Sequence, residues 1–316
     1  MIAGIKRVVC RTASATGLFG LSRVFTAHLP RILMYHGFCG ADEGFDDCTD
    51  VDMFRRQLMH IKRHYRPMKL SALWRRLASG EPLPDRTVVL TVDDGYANFA
   101  RWAAPLLREF EVPATLFVVS DFPDTGQWLW TDKLKFVLER CEEKPECGAE
   151  MKRMPVGERA ARLAELAERS AVSIPDRPPQ RYSMLGFAEL RELAAGGLIE
   201  IGAHTRDHPI LGHVSSEDAR GQIGGSRREL ERKLGAPVTT FCYPNGKPGD
   251  YTREQIEMVR EAGFVCATAS HIGWVSADSN RFALPRIGGD GDMLRFRKYL
   301  DGFEYWQRRA AGVRSV

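Results

Sequence analysis

Acidic residues are missing from the first 41 positions, which nevertheless carry Lys6, Arg7, Arg11, Arg23 and Arg31. The uncharged stretch Thr12 to Ser22 is short and rich in Thr, Ser, Gly and Ala, so it is a poor signal-peptide core and too short to span a bilayer. Two readings of this segment stay open: a basic amphipathic helix that touches anionic lipid, and a loosely packed terminal extension. Arginine-rich repeats, zinc-finger spacing and aromatic RNA-binding motifs are absent, and the net charge is only +4, so no nucleic acid is expected as a partner. There is no internal repeat. The run Gly221-Gln222-Ile223-Gly224-Gly225-Ser226 lacks the Lys of a phosphate-binding loop and reads as helix of low propensity. Regular cysteine spacing is lacking as well. Cys10, Cys39, Cys48, Cys141, Cys147, Cys242 and Cys266 form an odd set, which predicts reduced thiols in a cytoplasmic setting more than a disulfide framework; that setting together with the basic terminus favours the inner membrane surface. An oxidising compartment would leave Cys39 with Cys48, or Cys141 with Cys147, as the pairs to join.

The rest of the composition is that of an ordinary globular chain: 316 residues with 44% hydrophobic content bury one large core, and α/β barrels often use this length as one domain. Strand-like runs at 32–36, 88–92, 114–119, 198–203, 239–243, 264–267 and 284–287 alternate with helical segments, of which 101–111 and 219–234 are the clearest. That alternation predicts a parallel α/β fold. The interval 121–180 departs from it. It holds Trp128-Leu129-Trp130, a helix-like run over 131–143, an Ala, Leu, Glu and Arg-rich run over 156–170, and a Pro-rich return at 175–179. An insertion after a barrel strand lands on the catalytic face and can shape substrate choice. Trp128 and Trp130 are candidates to stack on sugar rings, with a core or covering role as the alternative.

Two fragments carry the chemistry, TVDDG at Thr91 to Gly95 and HTRDH at His204 to His208. Each follows an apolar, strand-like run and is a weak signal alone. Together they place two carboxylates and two imidazoles at the carboxyl ends of two strands, the face where side chains of a parallel barrel converge. A catalytic divalent metal needs about three protein ligands and an open position, and a hydrolase built on it needs a base that is not a ligand. The two fragments supply both.

TVDDG resembles the TFDDG motif, and HTRDH the H-[S/T]-x-x-H motif, of the NodB-homology polysaccharide deacetylases, carbohydrate esterase family four, and the likeness covers roughly Arg31 to Ile287. It implies a distorted (β/α)7 barrel over 31–300, with a basic extension at 1–30, the insertion at about 121–180 and a basic tail at 301–316. It also implies Asp93 as catalytic base, Asp94, His204 and His208 as metal ligands, and Thr205 as the small hydroxyl residue between the histidines. The third family motif is only partly present. Phe241-Cys242-Tyr243-Pro244-Asn245-Gly246 resembles a divergent FxYPxG branch, with Cys242 where the family Arg would stand and Asn245 where the Tyr would stand. The oxyanion donor there would be the Asn245 main-chain N–H, which any non-proline residue supplies. Arg286, in Leu284-Pro285-Arg286-Ile287, is the candidate replacement for the missing arginine that orients Asp93; an ordinary structural arginine is the alternative.

The family's late motifs, a tryptophan-lined pocket and a histidine acid, are not recognisable downstream. The segment Tyr35-His36 resembles the YH of deacetylases whose acid has moved to the first strand, so His36 is the candidate general acid; a hydrogen-bonded strand-end histidine is the alternative. Mixed nitrogen and oxygen ligation favours Zn2+ as the divalent metal, with cobalt, nickel or iron also compatible. Cys242 is not expected to be a ligand, since the required ligands are already supplied. The leading function is metal-dependent removal of an N-acetyl group from an amino sugar in a glycan, glycolipid or lipid-linked precursor. A non-sugar amide as substrate, or a glycan-binding protein with a vestigial site, are the alternatives.

Overall fold

The computed structural model describes residues 2–40, 43, 48–141, 147–276, 278–289 and 291–312, with side chains from Arg7 onward. Seven parallel strands form one curled sheet: β1 (Arg31–Tyr35), β2 (Thr87–Val92), β3 (Ala114–Val118), β4 (Ile199–Ala203), β5 (Thr240–Cys242), β6 (Cys266–Thr268) and β7 (Ile287–Gly288), in the order β7-β1-β2-β3-β4-β5-β6. Closure comes from one short segment. Leu284 bridges Thr268 on β6, and three residues later Ile287 pairs with Leu33 on β1. The seven-stranded parallel arrangement expected above is thus present, with a last strand of two residues because 284–288 spans the gap between both sheet edges. Arg286 sits inside that closing segment.

The strands form where β-branched and apolar residues run without alternation, as a sheet covered on both faces requires. All six residues of β2 are buried. Helices of one-sided polarity cover the outside. Val51–His64 is capped by Asp50, whose side chain accepts the Met53 N–H at 2.9 Å, and Arg253–Glu261 starts on a capping box between Thr252 and Gln255. The helix expected over 219–234 begins earlier, at Ser216, because Ser215 caps it by accepting the Asp218 N–H. The one expected over 101–111 instead opens as a π-type turn, Phe99–Ala103, before the helix Ala104–Glu109, where Pro105 removes an N–H from the ladder. A short strand at Arg66–Met68 pairs with the start of β2, and escapes sequence reading because Pro67 argues against a strand.

The expectation of seven reduced thiols is corrected at one pair. Cys39 and Cys48 form a disulfide across the small parallel ribbon of Gly37–Cys39 and Cys48–Asp50, and the other five cysteines are free. Cys141 and Cys147 stay unpaired.

The helix Leu18–Phe25 and the segment 300–303 are stitched to each other and to the barrel. Phe19, on the helix Leu18–Phe25, is fully buried with its ring 5.1 Å from that of Phe303, so loose packing does not hold for this segment. Buried Asp301 collects Arg23 Nη1 at 3.1 Å, His60 Nε2 at 3.0 Å and the Tyr65 hydroxyl at 2.8 Å on one oxygen. Beside it, buried Arg31 donates to the carbonyls of Thr26 and Leu300. Burial alone would raise the Asp301 carboxyl; the His60, Arg23 and Tyr65 contacts outweigh it and hold the group below its ordinary value. A carboxylate depressed in the folded state stabilises the fold above its unfolded pKa of about 3.9, and that stability is lost as pH falls through the folded value. Asp301→Asn is therefore expected to cost about 3–5 kcal/mol at neutral pH and to flatten the acid limb of stability. Urea melts of both proteins from neutral to acid pH check this; equal midpoints at neutral pH would deny Asp301 this role.

Candidate metal centre and active site

Six of the seven expected site residues lie just beyond a strand's carboxyl end, while Arg286 immediately precedes β7 in the closing segment, and the local backbone around the six departs from the sheet. Asp94, Thr205, His208 and Asn245 all have positive φ, at 73°, 64°, 63° and 59°. Left-handed backbone is costly for side-chain-bearing residues, above all for a β-branched threonine, and such outliers gather at functional sites. Gly95, at φ 81°, completes the turn after the two aspartates. Gly202 is required two strands further on, in β4, since a Cβ there would lie 2.5 Å from the Phe117 ring and 2.7 Å from Thr240 Oγ1. The Thr205 side chain then accepts the His208 N–H at 3.1 Å, which fixes the loop that turns both histidines inward.

Asp94, His204 and His208 converge. Asp94 Oδ1 is 3.5 Å from His204 Nε2 and 3.3 Å from His208 Nε2, and one donor atom from each of the three lies within 4.8 Å of the others. With metal bonds of about 2.0–2.1 Å, the edge of a tetrahedron of ligands is about 3.3–3.4 Å, so the two separations allow one divalent ion to meet all three side chains. His204 Nδ1 lies 2.7 Å from the Cys242 carbonyl oxygen. Donation there leaves the Nε2 lone pair facing Asp94, the outer-shell arrangement that orients metal-binding histidines. Burial holds the His208 imidazole below its ordinary value, in the neutral form a metal requires. Burial raises the Asp94 carboxyl, and the two adjacent imidazoles more than reverse this, keeping it well below its ordinary value. The donor set fits a divalent metal.

A second cluster, Asp93, His204 and Cys242, also meets the distance test. Its donors are engaged elsewhere. Arg286 clamps Asp93 through two parallel hydrogen bonds of 2.7 Å, Nη1 to Oδ1 and Nη2 to Oδ2. Arg286 is itself fixed by donating to the Ala269 carbonyl at 2.8 Å and to Thr91 Oγ1 at 3.1 Å. Burial raises the Asp93 carboxyl, and the charge and hydrogen bonds of Arg286 more than reverse this, leaving it below its ordinary value. Asp93 is thus ionised and aimed. The Cys242 thiol, 3.6 Å from Asp93 Oδ2, is buried beside it. The guanidinium that holds Asp93 arrives from the closing segment.

His36, just past β1, places Nε2 3.9 Å from Asp93 Oδ2 and keeps about a third of its side chain exposed to the cavity. Asn245 lines the same cavity; its side chain is taken up by Lys152, which donates at 3.2 Å, and by Asp250, so any part in chemistry falls to its main chain. All seven expected residues therefore border one cavity of about 520 Å3.

The insertion forms one wall of that cavity through helices Trp130–Leu138 and Gly148–Met151, with Val156–Arg169 packed behind them. It is pinned to the Asp-Asp turn by Tyr96, whose hydroxyl donates to buried Asp132 at 2.7 Å. Neither residue carried a signal in the sequence, since the contact joins a turn to a helix 36 positions away. The expectation for the tryptophans divides. Trp128 is buried against Phe136 and Tyr182, ring centroids 5.6 Å away in each case, so it is core and not a stacking platform. Trp130 lines the cavity, with the Arg159 guanidinium 4.3 Å from its ring centre.

Comparison with known proteins agrees with this architecture. Seventy-two residues, 22% of the chain, are 38% identical to the poly-beta-1,6-N-acetyl-D-glucosamine N-deacetylase of Escherichia coli K12, and cover 11% of that protein. The fold matches the structure of IcaB from Ammonifex degensii with a TM-score of 0.62 at 17% identity, over 87% of this chain and 97% of that one. It also matches the deacetylase PplD of Streptococcus pyogenes in complex with acetate, with a TM-score of 0.58 at 19% identity, over 82% and 92%. The polysaccharide deacetylase family model matches residues 80–267. Because that match covers more than half of the chain, the protein belongs to the polysaccharide deacetylase family.

Proposed function

We propose that the chain removes the N-acetyl group from an amino sugar within a glycan, glycolipid or lipid-linked precursor, with a divalent metal, zinc by preference, held by Asp94, His204 and His208. The observation that carries this reading is the pairing of that ligand triad with a separate, arginine-clamped carboxylate, Asp93, at the edge of the same cavity. When bound, the metal supplies Lewis acidity toward the acetyl carbonyl and lowers the pKa of water. Asp93 takes the proton from the attacking water; Arg286 holds the carboxylate in the orientation that receives it. Each Asp93 oxygen gives Arg286 one lone pair and keeps another for this task. The Asn245 N–H meets the developing oxyanion. His36 donates a proton to the departing sugar nitrogen. The likeness to the E. coli enzyme makes β-1,6-linked N-acetylglucosamine oligomers the first substrate to try. The matched stretch spans about a tenth of that relative's length.

The test is acetate release from β-1,6-linked and β-1,4-linked N-acetylglucosamine oligomers, before and after chelation and with zinc restored. Release that stops on chelation and returns with zinc is expected; release that ignores chelation would remove the metal from the reading. The Cys39–Cys48 bond weighs toward an oxidising compartment, where such pairs persist, and against the cytoplasmic setting expected from the odd cysteine count.

The place of His36 has its own test. His36→Ala should keep its metal and its substrate affinity, yet slow sugar-amide cleavage about a hundredfold or more, because an amine leaves poorly without a proton. An activated aryl acetate, whose leaving group departs as a stable anion, should be affected far less. Equal losses on both substrates would make His36 a structural strand-end residue.

A further inference from the structure

Exposed apolar side chains are concentrated in one corner of the molecule, remote in sequence from the catalytic fragments. Among the described residues nine large hydrophobic side chains are exposed, and six of them, Val8, Val9, Leu18, Leu21, Val24 and Phe25, lie on the two N-terminal helices, Ile2–Ala15 and Leu18–Phe25. A seventh, Trp306, is on the helix Phe303–Ala310, which packs against Leu18–Phe25. The shorter N-terminal helix shows the pattern most clearly. Phe19, Ser22 and Thr26, at spacings of three and four, are buried toward the barrel. Leu18, Leu21 and Phe25, at the same spacings, form a second stripe on another side, where Phe25 is 60% exposed and the neighbouring Val24 65%. The side turned to the barrel carries one aromatic and two hydroxyl residues, so the more apolar stripe of this helix is the one left uncovered.

The charges say what covers the other. Neither N-terminal helix contains an Asp or Glu, while Lys6, Arg7, Arg11 and Arg23 accompany the apolar residues. Arg23 is committed to Asp301. Arg7 has only the exposed Asp292, 3.7 Å away, and Arg11 is exposed. Arg308 and Arg309 add to the adjoining helix, whose Glu304 is already paired with Arg308 and Lys298. Exposed apolar residues interleaved with cations and short of acids are complementary to an anionic bilayer surface, where the apolar stripe enters the headgroup–acyl boundary and the arginines meet phosphates. An exposed Trp suits that depth. A second copy of the chain fits less well: a symmetric contact would set this cationic face against itself, with no acidic residue on either N-terminal helix to answer it. No helix among the described residues is long and apolar enough to cross a membrane, which is consistent with a helix lying on the surface and not spanning it.

We infer that residues 7–25, with the helix carrying Trp306, form a docking face for an anionic lipid surface, seated by Leu18, Leu21, Val24 and Phe25 and steered by Arg7 and Arg11. The inference does not depend on the substrate or on the metal. It is tested by floating the full-length protein with phosphatidylcholine vesicles, with and without phosphatidylglycerol. The protein should float with the anionic vesicles and much less with the neutral ones. Phe25→Glu should weaken partitioning roughly tenfold or more, from the loss of one large apolar side chain at the interface, and Arg11→Ala about fivefold. Both positions are exposed, and melting curves together with the separate Val24→Glu variant guard against misfolding as the cause. A wild-type protein that stays unbound with both vesicle types would overturn the inference. So would Phe25→Glu and Val24→Glu variants that float like the wild type, or a wild-type dimer in sedimentation velocity that Phe25→Glu dissociates while vesicle binding is nil.

Discussion

Asp93→Asn is expected to lower turnover by about a hundredfold to ten-thousandfold while the protein keeps its metal. The amide oxygen still accepts from Arg286, but the amide nitrogen now faces a guanidinium and cannot take a proton from water. Two losses are combined here, the base and one half of a buried bidentate pair, so a lower melting temperature should accompany the loss of turnover. The two are separable. Metal content by mass spectrometry reports on the triad, single-turnover rates report on the base, and melting reports on the Arg286 pair. Near-normal turnover would move the base elsewhere, and a metal-free Asp93→Asn would make Asp93 a ligand after all.

Loss of any one ligand should have the opposite signature. His204→Ala, His208→Ala or Asp94→Ala leaves two donors where about three are needed, so metal content and activity should fall together. A ligand that binds only the folded state raises stability by RT ln(1 + [L]/Kd), about 2.7 kcal/mol at a hundredfold excess over Kd. The wild-type melting temperature should therefore climb with added zinc, and each ligand variant should lose most of that climb. His204→Ala carries a second penalty, because it also removes the partner of the Cys242 carbonyl. Full metal retention in all three variants would dismiss the triad.

The parts of this site that are legible in the sequence are those encoded locally. Asp93 and Asp94 directly follow one strand-like run, and His204 and His208 lie in the turn after another, and a parallel strand delivers whatever follows it to one end of the sheet. Arg286 is readable for a related reason: Leu284-Pro285-Arg286-Ile287 has the pattern of a final strand, although that strand proves to be two residues long and to bridge both edges. What is not legible depends on contacts between distant segments. Nothing near Cys242 signals that its carbonyl orients a histidine 38 positions away, and nothing near Asp132 signals Tyr96. The same holds for Asp301, whose partners Arg23, His60 and Tyr65 are all more than 230 positions distant. Trp128 was ambiguous in sequence because an aromatic beside an inserted helix serves equally as cover or as platform; packing on Phe136 and Tyr182 decides for cover. The cysteines mislead by number. An odd count argues against a complete framework, yet it is silent on whether the ribbon brings Cys39 and Cys48 together.

The most direct test of metal-assisted de-N-acetylation is mass spectrometry of a defined β-1,6-linked N-acetylglucosamine oligomer after incubation with the zinc-loaded protein. Products lighter by whole acetyl groups are expected, with none from Asp93→Asn at the same enzyme concentration and time, and none after chelation. An unchanged oligomer, with the other N-acetylated sugars tried alongside it equally unchanged while zinc is demonstrably bound, would contradict the account and leave a metal-holding glycan binder in its place.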